Sequence, residues 1–552
     1  MGDNHVMRRW MLLLAIAGCP HPRPEPPPPE PAPRPGDAAV GDVEPTLEIE
    51  SPARGTFVDD PNVVVRGRVR DDGPVRVTIN GTQATVAPDG AFMATVPLSN
   101  GLEILETHAI DATGHDVRDV RAVLAGPFAV ADGRTGSTIG FRLGRRGVAA
   151  FGKALAVSAK AIDFKRAAQA LNPIYEEPGC LGARVDIADV GVGNIDIDLA
   201  PKNSAIETLV RVDKVEVKLD VSYRAACIGG ATSMTVRTRA RVRAELTGVF
   251  APDKIRTAFR KPDVTLEDFQ IQMRVPAVVE SLLRKVTRPA VEIALAELIK
   301  TRVAPIVDSQ LSILLARPAL PQLLGRDLEL VIKPTWLDIS SRGIILTASS
   351  AILVRGGTTG RYIDRKARLP DPDGEATGWA SAGAANQLLS GLWAARAFDR
   401  TLPRDQLGPL GMLLDPKIAT VELTIALPPT IHGDSKLELV VGDLLITARD
   451  AAGAEVQRFA VSLRTGLAIT RGSALATTEP AVFAQLLAQH GNLERPLDAA
   501  GVEGIVRGAW SLVAGNIDEA LAEIWIPGSS EGTELKSLTA RDGMIVFDLA
   551  LK

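Results

Sequence analysis

The chain has 552 residues, and its 62 Lys and Arg against 66 Asp and Glu leave a formal net charge of only −4. That length exceeds what one hydrophobic core holds and predicts roughly two to four domains. The balanced charge, without basic blocks, excludes nucleic acid as a partner, and few aromatics beside abundant Val, Ile, Leu and Ala predict an aliphatic interior.

Residues 1–19 read as an address. Arg8-Arg9 is a positive start, Trp10 to Ala17 an apolar run, and small residues follow, the pattern of a secretory signal. Ile16-Ala17-Gly18-Cys19 resembles the bacterial lipobox, which implies cleavage before Cys19 and diacylation of that cysteine. The competing reading is an ordinary cleavage site beside a free or buried thiol. Two acyl chains hold a protein stably on a membrane, and no later segment offers the roughly twenty uninterrupted apolar residues of a spanning helix. The resemblance implies a membrane partner reached through the lipid anchor. It implies a location in the bacterial cell envelope, and Pro20 in place of aspartate favours the outer membrane, on its periplasmic face or surface. Residues 20–44 are proline-rich and predict an extended tether, about 3.1 Å per residue and roughly 50 Å along the Pro20 to Pro35 run.

From 45 to 125 short alternating segments are separated by turn signals, among them Asn80-Gly81, Pro88-Asp89-Gly90 and Ser99-Asn100-Gly101, and predict a small all-β sandwich. Val77 to Gly81, Val86 to Phe92 and Ala109 to Gly114 resemble bacterial immunoglobulin-like modules, which serve as spacers and sometimes as binders. His108, Asp111, His115 and Asp116 surround a polar turn and lack a ligand spacing, so no metal is expected there.

After Gly126 long helices alternate with long strands. Val148 to Leu171 predicts one helix with two apolar faces. Ile195, Ile197 and Leu199, then Val215, Val217, Leu219 and Val221, alternate with charged residues and predict antiparallel sheet with one dry face. Met234 to Leu246 continues the pattern, its outer positions being Arg237, Arg239, Arg241 and Arg243. That row suits anionic head groups, or equally cross-strand pairing with Glu216, Asp220, Asp196 and Asp198. Pro276 opens a long helix that Pro289 should kink or split.

Further on, Leu328 to Ile332 and Gly343 to Val354 read as strands, Ala382 to Phe398 as a helix, and Leu437 to Thr470 as strands joined at Asp450-Ala451-Ala452-Gly453. A helix is expected near Pro480, a longer one over Val502, Ile505, Val506, Ala509, Val513, Ile517, Leu521 and Ile524, and strand again from Leu535 to Leu551. Two related halves are the economical explanation. Apart from Cys19, only Cys180 and Cys227 remain, an even pair in an oxidising compartment. A disulfide is expected, two separate buried thiols being the alternative.

Val185 to Gly191, with Ile195 to Leu199 and Val215 to Val221 after it, is similar to the first barrel of the TULIP superfamily of tubular lipid-binding proteins, which includes bactericidal/permeability-increasing protein. Asn386-Gln387-Leu388-Leu389-Ser390-Gly391-Leu392-Trp393 resembles the helix of its second barrel, and Gly442-Asp443-Leu444-Leu445-Ile446 the strand that follows. The resemblance implies an α+β fold: two elongated barrels, 126–325 and 326–552, each a twisted antiparallel sheet around long helices, preceded by the immunoglobulin-like sandwich at 45–125. It also implies an apolar cavity for acyl chains, lined by Phe151, Leu155, Ile162, Val217, Leu219, Leu388, Leu392 and Trp393. In that family a disulfide ties helix-side to sheet-side segments of the first barrel, a place Cys180 and Cys227 would take.

Catalytic chemistry is not indicated. There is no His-Glu-x-x-His pair of zinc ligands and no Gly-x-Ser-x-Gly elbow, and Gly191-Val192-Gly193 lacks the third glycine of a dinucleotide site. The expected function is therefore non-enzymatic, without cofactor: a lipid-anchored protein that binds, and in one version transfers, a phospholipid or lipopolysaccharide. The alternative is an envelope structural or adhesion protein whose immunoglobulin-like module binds glycan or protein.

Overall fold

A computed structural model describes residues 43–132, 137–251, 254–274, 277–308, 322–357, 359–364, 375–433, 436–469, 475–511, 514 and 533–551. The described residues are mostly β, 56 % strand, with two curled half-barrel sheets and few helices, so their helical share is lower than an α+β reading implies. Cys19, most of the tether, and Val513, Ile517, Leu521 and Ile524 lie outside the described residues.

The N-terminal sandwich pairs Thr46–Ser51, Asn62–Arg70, Ala91–Pro97 and Thr85–Val86 in one sheet, and Thr56–Val58, Asp116–Ala125, Gly101–Ile110, Arg76–Ile79 and Thr82–Gln83 in the other. Asn80 and Gly81 both have positive φ, 47° and 79°, the demand of a tight hairpin turn that this dipeptide meets at least cost. Asn62–Arg70 alternates, sending Val63, Val65 and Val69 into the sandwich core. Asp116–Ala125 does not alternate: Val120 to Ala125 are buried on both faces. Val123 enters the sandwich core while Val120, Ala122 and Leu124 pack against Leu427 and Val440 of the C-terminal half. A module expected to act as a spacer is thus docked on the rest of the chain.

The first curled sheet runs in the order Tyr175–Glu177, Ala183–Val192, Ala205–Ala225, Ile228–Ala251, Lys254–Gln272, with Ile195–Lys202 also on Ala205–Ala225. Its three longest strands have 21, 24 and 19 residues, and strands of that length must twist and coil. Bulges between Ile187 and Asp189, Val212 and Val215, and Arg237 and Arg239 sharpen the bend. Cys180 and Cys227 are disulfide-bonded at the tip of this sheet, closing a separation of 47 residues. On the chain-entropy model such a loop closure stabilises by about 4 kcal/mol. Cys180→Ser with Cys227→Ser should therefore loosen the tip, with limited proteolysis cutting first between residues 177 and 230; unchanged cleavage would show that the strands alone hold it.

The second sheet is shared by both halves. Its order is Leu328–Ser340, Gly343–Val354, Ser137–Gly144, Ala376–Ser381, Met544–Leu551, Thr533–Arg541. The division at 325/326 therefore does not separate two sheets, because Ser137–Gly144 bonds Gly343–Val354 along one edge and Ala376–Ser381 along the other. A strand with both edges paired and Ile139, Phe141 and Leu143 buried is interior wherever its neighbours come from in the chain. The last sheet joins Arg400–Pro403, Thr420–Ile425, Glu438–Arg449, Glu455–Ile469 and Leu475–Thr477, with Thr430–His432 and Ala481–Gln489 added at its sides.

Three local expectations are corrected. The helix near Pro480 is the strand Ala481–Gln489, laddered antiparallel to Glu455–Ile469; its Ala, Leu and Gln favour helix, and an available strand edge overrides that propensity. Val148 to Leu171 is two helices, Arg145–Ala159 and Phe164–Gln169, because Asp163 caps the second by accepting the Arg166 N–H at 2.9 Å. Pro289 does not split its helix, which runs Ala277–Leu298 and passes into a π-helical turn at Ile299–Val303.

Candidate functional site

The dry face of the curled sheet is covered by the helices Arg145–Ala159, Phe164–Gln169 and Ala277–Leu298, and the cover is incomplete. Strand alternation turns Ile187, Val215, Val217, Ala240 and Val242 inward, while Ala294, Leu295 and Leu298 face them from the long helix. Between them lies a slit so narrow that the centre of a water-sized sphere finds only about 80 Å³ of room. Its wall is hydrocarbon, and Arg302, at the π-helical turn, is its single charged lining residue among the described residues. An apolar surface of this kind interacts through exclusion of water.

Of the residues expected to line a cavity, Ile162 and Val217 do so. Leu219, one inward position further along the same strand, is fully buried in a packed cluster with Leu283. Leu155 is buried, with Phe151 against it, in the core between the first helix and the two neighbouring sheets. Leu388 and Leu392 pack with Val354 in the C-terminal half. The Trp393 indole N–H donates to the Ile425 carbonyl at 2.8 Å, and its ring stands 6.1 Å from that of Phe57 in the sandwich. Val190, Ala240, Val291, Leu295 and Val303 were not anticipated as lining residues; several share the inward periodicity, but periodicity does not reveal which inward residues face a gap.

The arginine row lies on the outer face and meets carboxylates of neighbouring strands. Arg237 reaches Glu216 at 3.2 Å, Arg241 reaches Glu267 at 3.0 Å, Arg243 reaches Glu207 at 3.8 Å, and Arg239 pairs with Asp268. Glu216 was among the partners anticipated; Asp196 and Asp198 instead share Arg211. The hydrogen bond from Arg237 holds the Glu216 carboxyl below its usual range, against a smaller desolvation effect, and the Arg237, Lys214 and Lys218 charges add to the lowering. Among the described residues no three His, Cys, Asp or Glu side chains gather as a metal site. His108 pairs with Asp116 and His115 with Asp111, both at 2.9 Å, around the polar turn. No helix of the described residues is long and apolar enough to cross a membrane.

Residues 45–126 match the family model glucodextranase, domain B, an immunoglobulin-like module. No curated protein matches the chain. Solved structures similar to this one include lipopolysaccharide binding protein, 12 % identical with a TM-score of 0.40 over 76 % of this chain and 99 % of that one. P47 of Clostridium botulinum E1 is 6 % identical, TM-score 0.22, over 76 % and 100 %. Latherin is 16 % identical, TM-score 0.19, over 31 % and 87 %. Likeness at this distance does not specify a ligand.

Proposed function

We propose that this chain is a lipid-anchored protein of the bacterial envelope that holds the acyl part of a lipid, such as a phospholipid or lipopolysaccharide, in the slit under the curled sheet, without catalysing a reaction on it. In this reading the two half-barrel sheets are TULIP-like, Cys19 carries the anchor, and the proline-rich tether lets the folded part stand off the membrane.

The slit carries this reading. Folded interiors are close-packed with few voids larger than a water molecule, whereas here an apolar slit runs between sheet and helices with about 80 Å³ of room for the centre of a water-sized sphere, less than the roughly 300–1,000 Å³ of an open small-molecule pocket. A narrow hydrocarbon bore favours a flexible polymethylene chain, which enters as the helices spread, over a rigid ring. Each methylene taken from water is favourable by about 0.8 kcal/mol, so a long tail offsets that spreading.

The test is to purify the full chain in amphipol from a bacterial host, extract it with organic solvent, and identify what is released by mass spectrometry. A lipid near one per chain is expected, together with an intact protein mass that places a diacyl group on Cys19. An extract with no lipid above an amphipol blank would remove the proposal.

A further inference from the structure

The slit is not sealed along its length. At the edge of the curled sheet Ala183–Val192 pairs with Ala205–Ala225 as far as Val215, and Ile195–Lys202 pairs with the same strand from Val212, leaving Asp213 and Lys214 bulged at a notch between the two. The Gly193-Asn194 turn crosses this notch and is tied down: Asp213 accepts the Asn194 backbone N–H at 2.7 Å and its side-chain amide at 3.0 Å, and Gly193 N–H donates to the Lys214 carbonyl at 2.7 Å. A Cβ on Gly193 would collide with the Asp213 carboxylate.

Over the notch opens a second hollow that shares Ile162, Phe164, Val190, Val192 and Ile195 with the slit. Here the centre of a water-sized sphere has about 700 Å³ of room, against about 80 Å³ in the slit. The hollow is wide and polar where the slit is narrow and dry. Its rim holds Lys160, Lys165 and Lys214 beside Asp163 and Asp213. Both carboxylates are already engaged by N–H donors, Asp163 by Arg166 and Asp213 by Asn194. The ammonium groups are held loosely. Lys165 and Lys218 share Asp189, each at 3.6 Å, and Lys214 shares Glu216 with Arg237, at 3.8 and 3.2 Å. Four cations thus divide two carboxylates, and Lys160 has no ion pair among the described residues.

We infer that this hollow is the entrance of the slit and the seat of an anionic head group, a phosphate or a carboxylate, whose single or paired tails pass Ile162 and Val190 into the apolar bore. The inference rests on the proposed lipid binding and adds to it the chemistry of the ligand's polar end and the side from which it enters. It also moves the anionic contact from the outer arginine row, where every guanidinium lies within ion-pair distance of a carboxylate, to lysines beside the opening. Charges this exposed are screened by salt, so the selectivity they confer weakens as ionic strength rises.

The experiment compares dodecyl phosphate, dodecanoate and dodecanol, three probes with one tail, binding to the lipid-stripped full chain in amphipol at low salt. The anionic probes should bind about tenfold more tightly than dodecanol, and the stronger of the two identifies phosphate or carboxylate as the natural head. In a Lys160→Gln, Lys165→Gln, Lys214→Gln variant that ratio should fall to near one; in Arg239→Gln, Arg241→Gln, on the outer face, it should persist. Equal binding of all three probes to the unmodified chain, or a ratio that survives loss of the lysines, would overturn the entrance while leaving the slit intact. If dodecanol too fails to bind, the lipid-binding reading itself falls.

Discussion

Tryptophan in place of Ala240 should empty the slit of lipid while the curled sheet stays folded. Ala240 is 4 % exposed on the sheet floor, paired with Val212 on one side and Leu266 on the other, and its Cβ points at the void. In a filled core an added ring costs about 1–3 kcal/mol; here the slit already supplies part of the volume that the indole needs, so the cost should lie at the low end of that range. An occupied slit loses methylene contacts worth about 0.8 kcal/mol each, so extracted lipid per chain should drop at least about tenfold. The comparison variant is Leu392→Ala in the C-terminal half. Leu392 is 1 % exposed in a packed cluster, so its truncation should cost about 2–5 kcal/mol of stability and leave the lipid content alone. Equal lipid in Ala240→Trp and the unmodified chain would place the ligand elsewhere.

Removing residues 43–125 should leave the C-terminal sheet misfolded and protease-sensitive, because the sandwich is part of its core. Leu102, Ala122 and Leu124 of the sandwich and Leu427 and Val440 of that sheet are all fully buried in one cluster. The polar contacts at this junction are specific. Leu102 N–H donates to Thr430 Oγ1 at 3.1 Å, Val120 N–H to Gln485 Oε1 at 3.2 Å, and Arg118 to Glu503 at 2.5 Å. At the centre Asp443, completely enclosed, accepts Arg54 at 2.6 Å and Ala122 N–H at 3.1 Å. Burial pushes its carboxyl up, while Arg54 and the Ala122 N–H work against that shift.

Arg54→Ala is the point version of the deletion. It leaves a carboxylate in a dry interface with its main counter-charge gone, a loss of about 3–5 kcal/mol, to be read from urea unfolding followed by tryptophan fluorescence. Adding Asp443→Asn should recover part of it, since asparagine removes the charge and tolerates the left-handed backbone at this position, φ 47°. A loss under about 1 kcal/mol, the range of an exposed pair, would mean that water reaches the junction and that the sandwich is a loosely held spacer.

Much of the architecture was legible because period-two alternation is local. Val215 to Val221, the inward positions of Met234 to Leu246, the Asn80-Gly81 hairpin and the helix that follows Pro276 each declare themselves within a window of ten residues. The even cysteine pair pointed to the bond that the structure contains. The failures have a common form. Ala481 to Gln489 carries helix-forming residues and became a strand because Glu455–Ile469 offers it an unpaired edge. Val120 to Ala125, six buried residues in a row, was a visible signal of a strand covered on both faces, yet nothing nearby in the chain names the second cover, which lies some three hundred residues away at Leu427 and Val440.

The candidate site divides in the same way. That Val217 and Ile162 are apolar and face inward follows from their spacing, but Leu219, two residues beyond Val217 on the same face, is packed solid while Val217 borders the void. The arginine row shows the same limit from the outer side: its orientation could be read, its partners Asp268, Glu267 and Glu207 could not. By itself the sequence determined the dry side of the alternating strands and amphipathic helices and the positions of the tight turns. Only the tertiary structure decided what covers each dry side and where the cover falls short, because burial patterns arise from neighbours a few residues apart, whereas the gap between a curled sheet and its helices depends on bulges, strand register and contacts made across hundreds of residues.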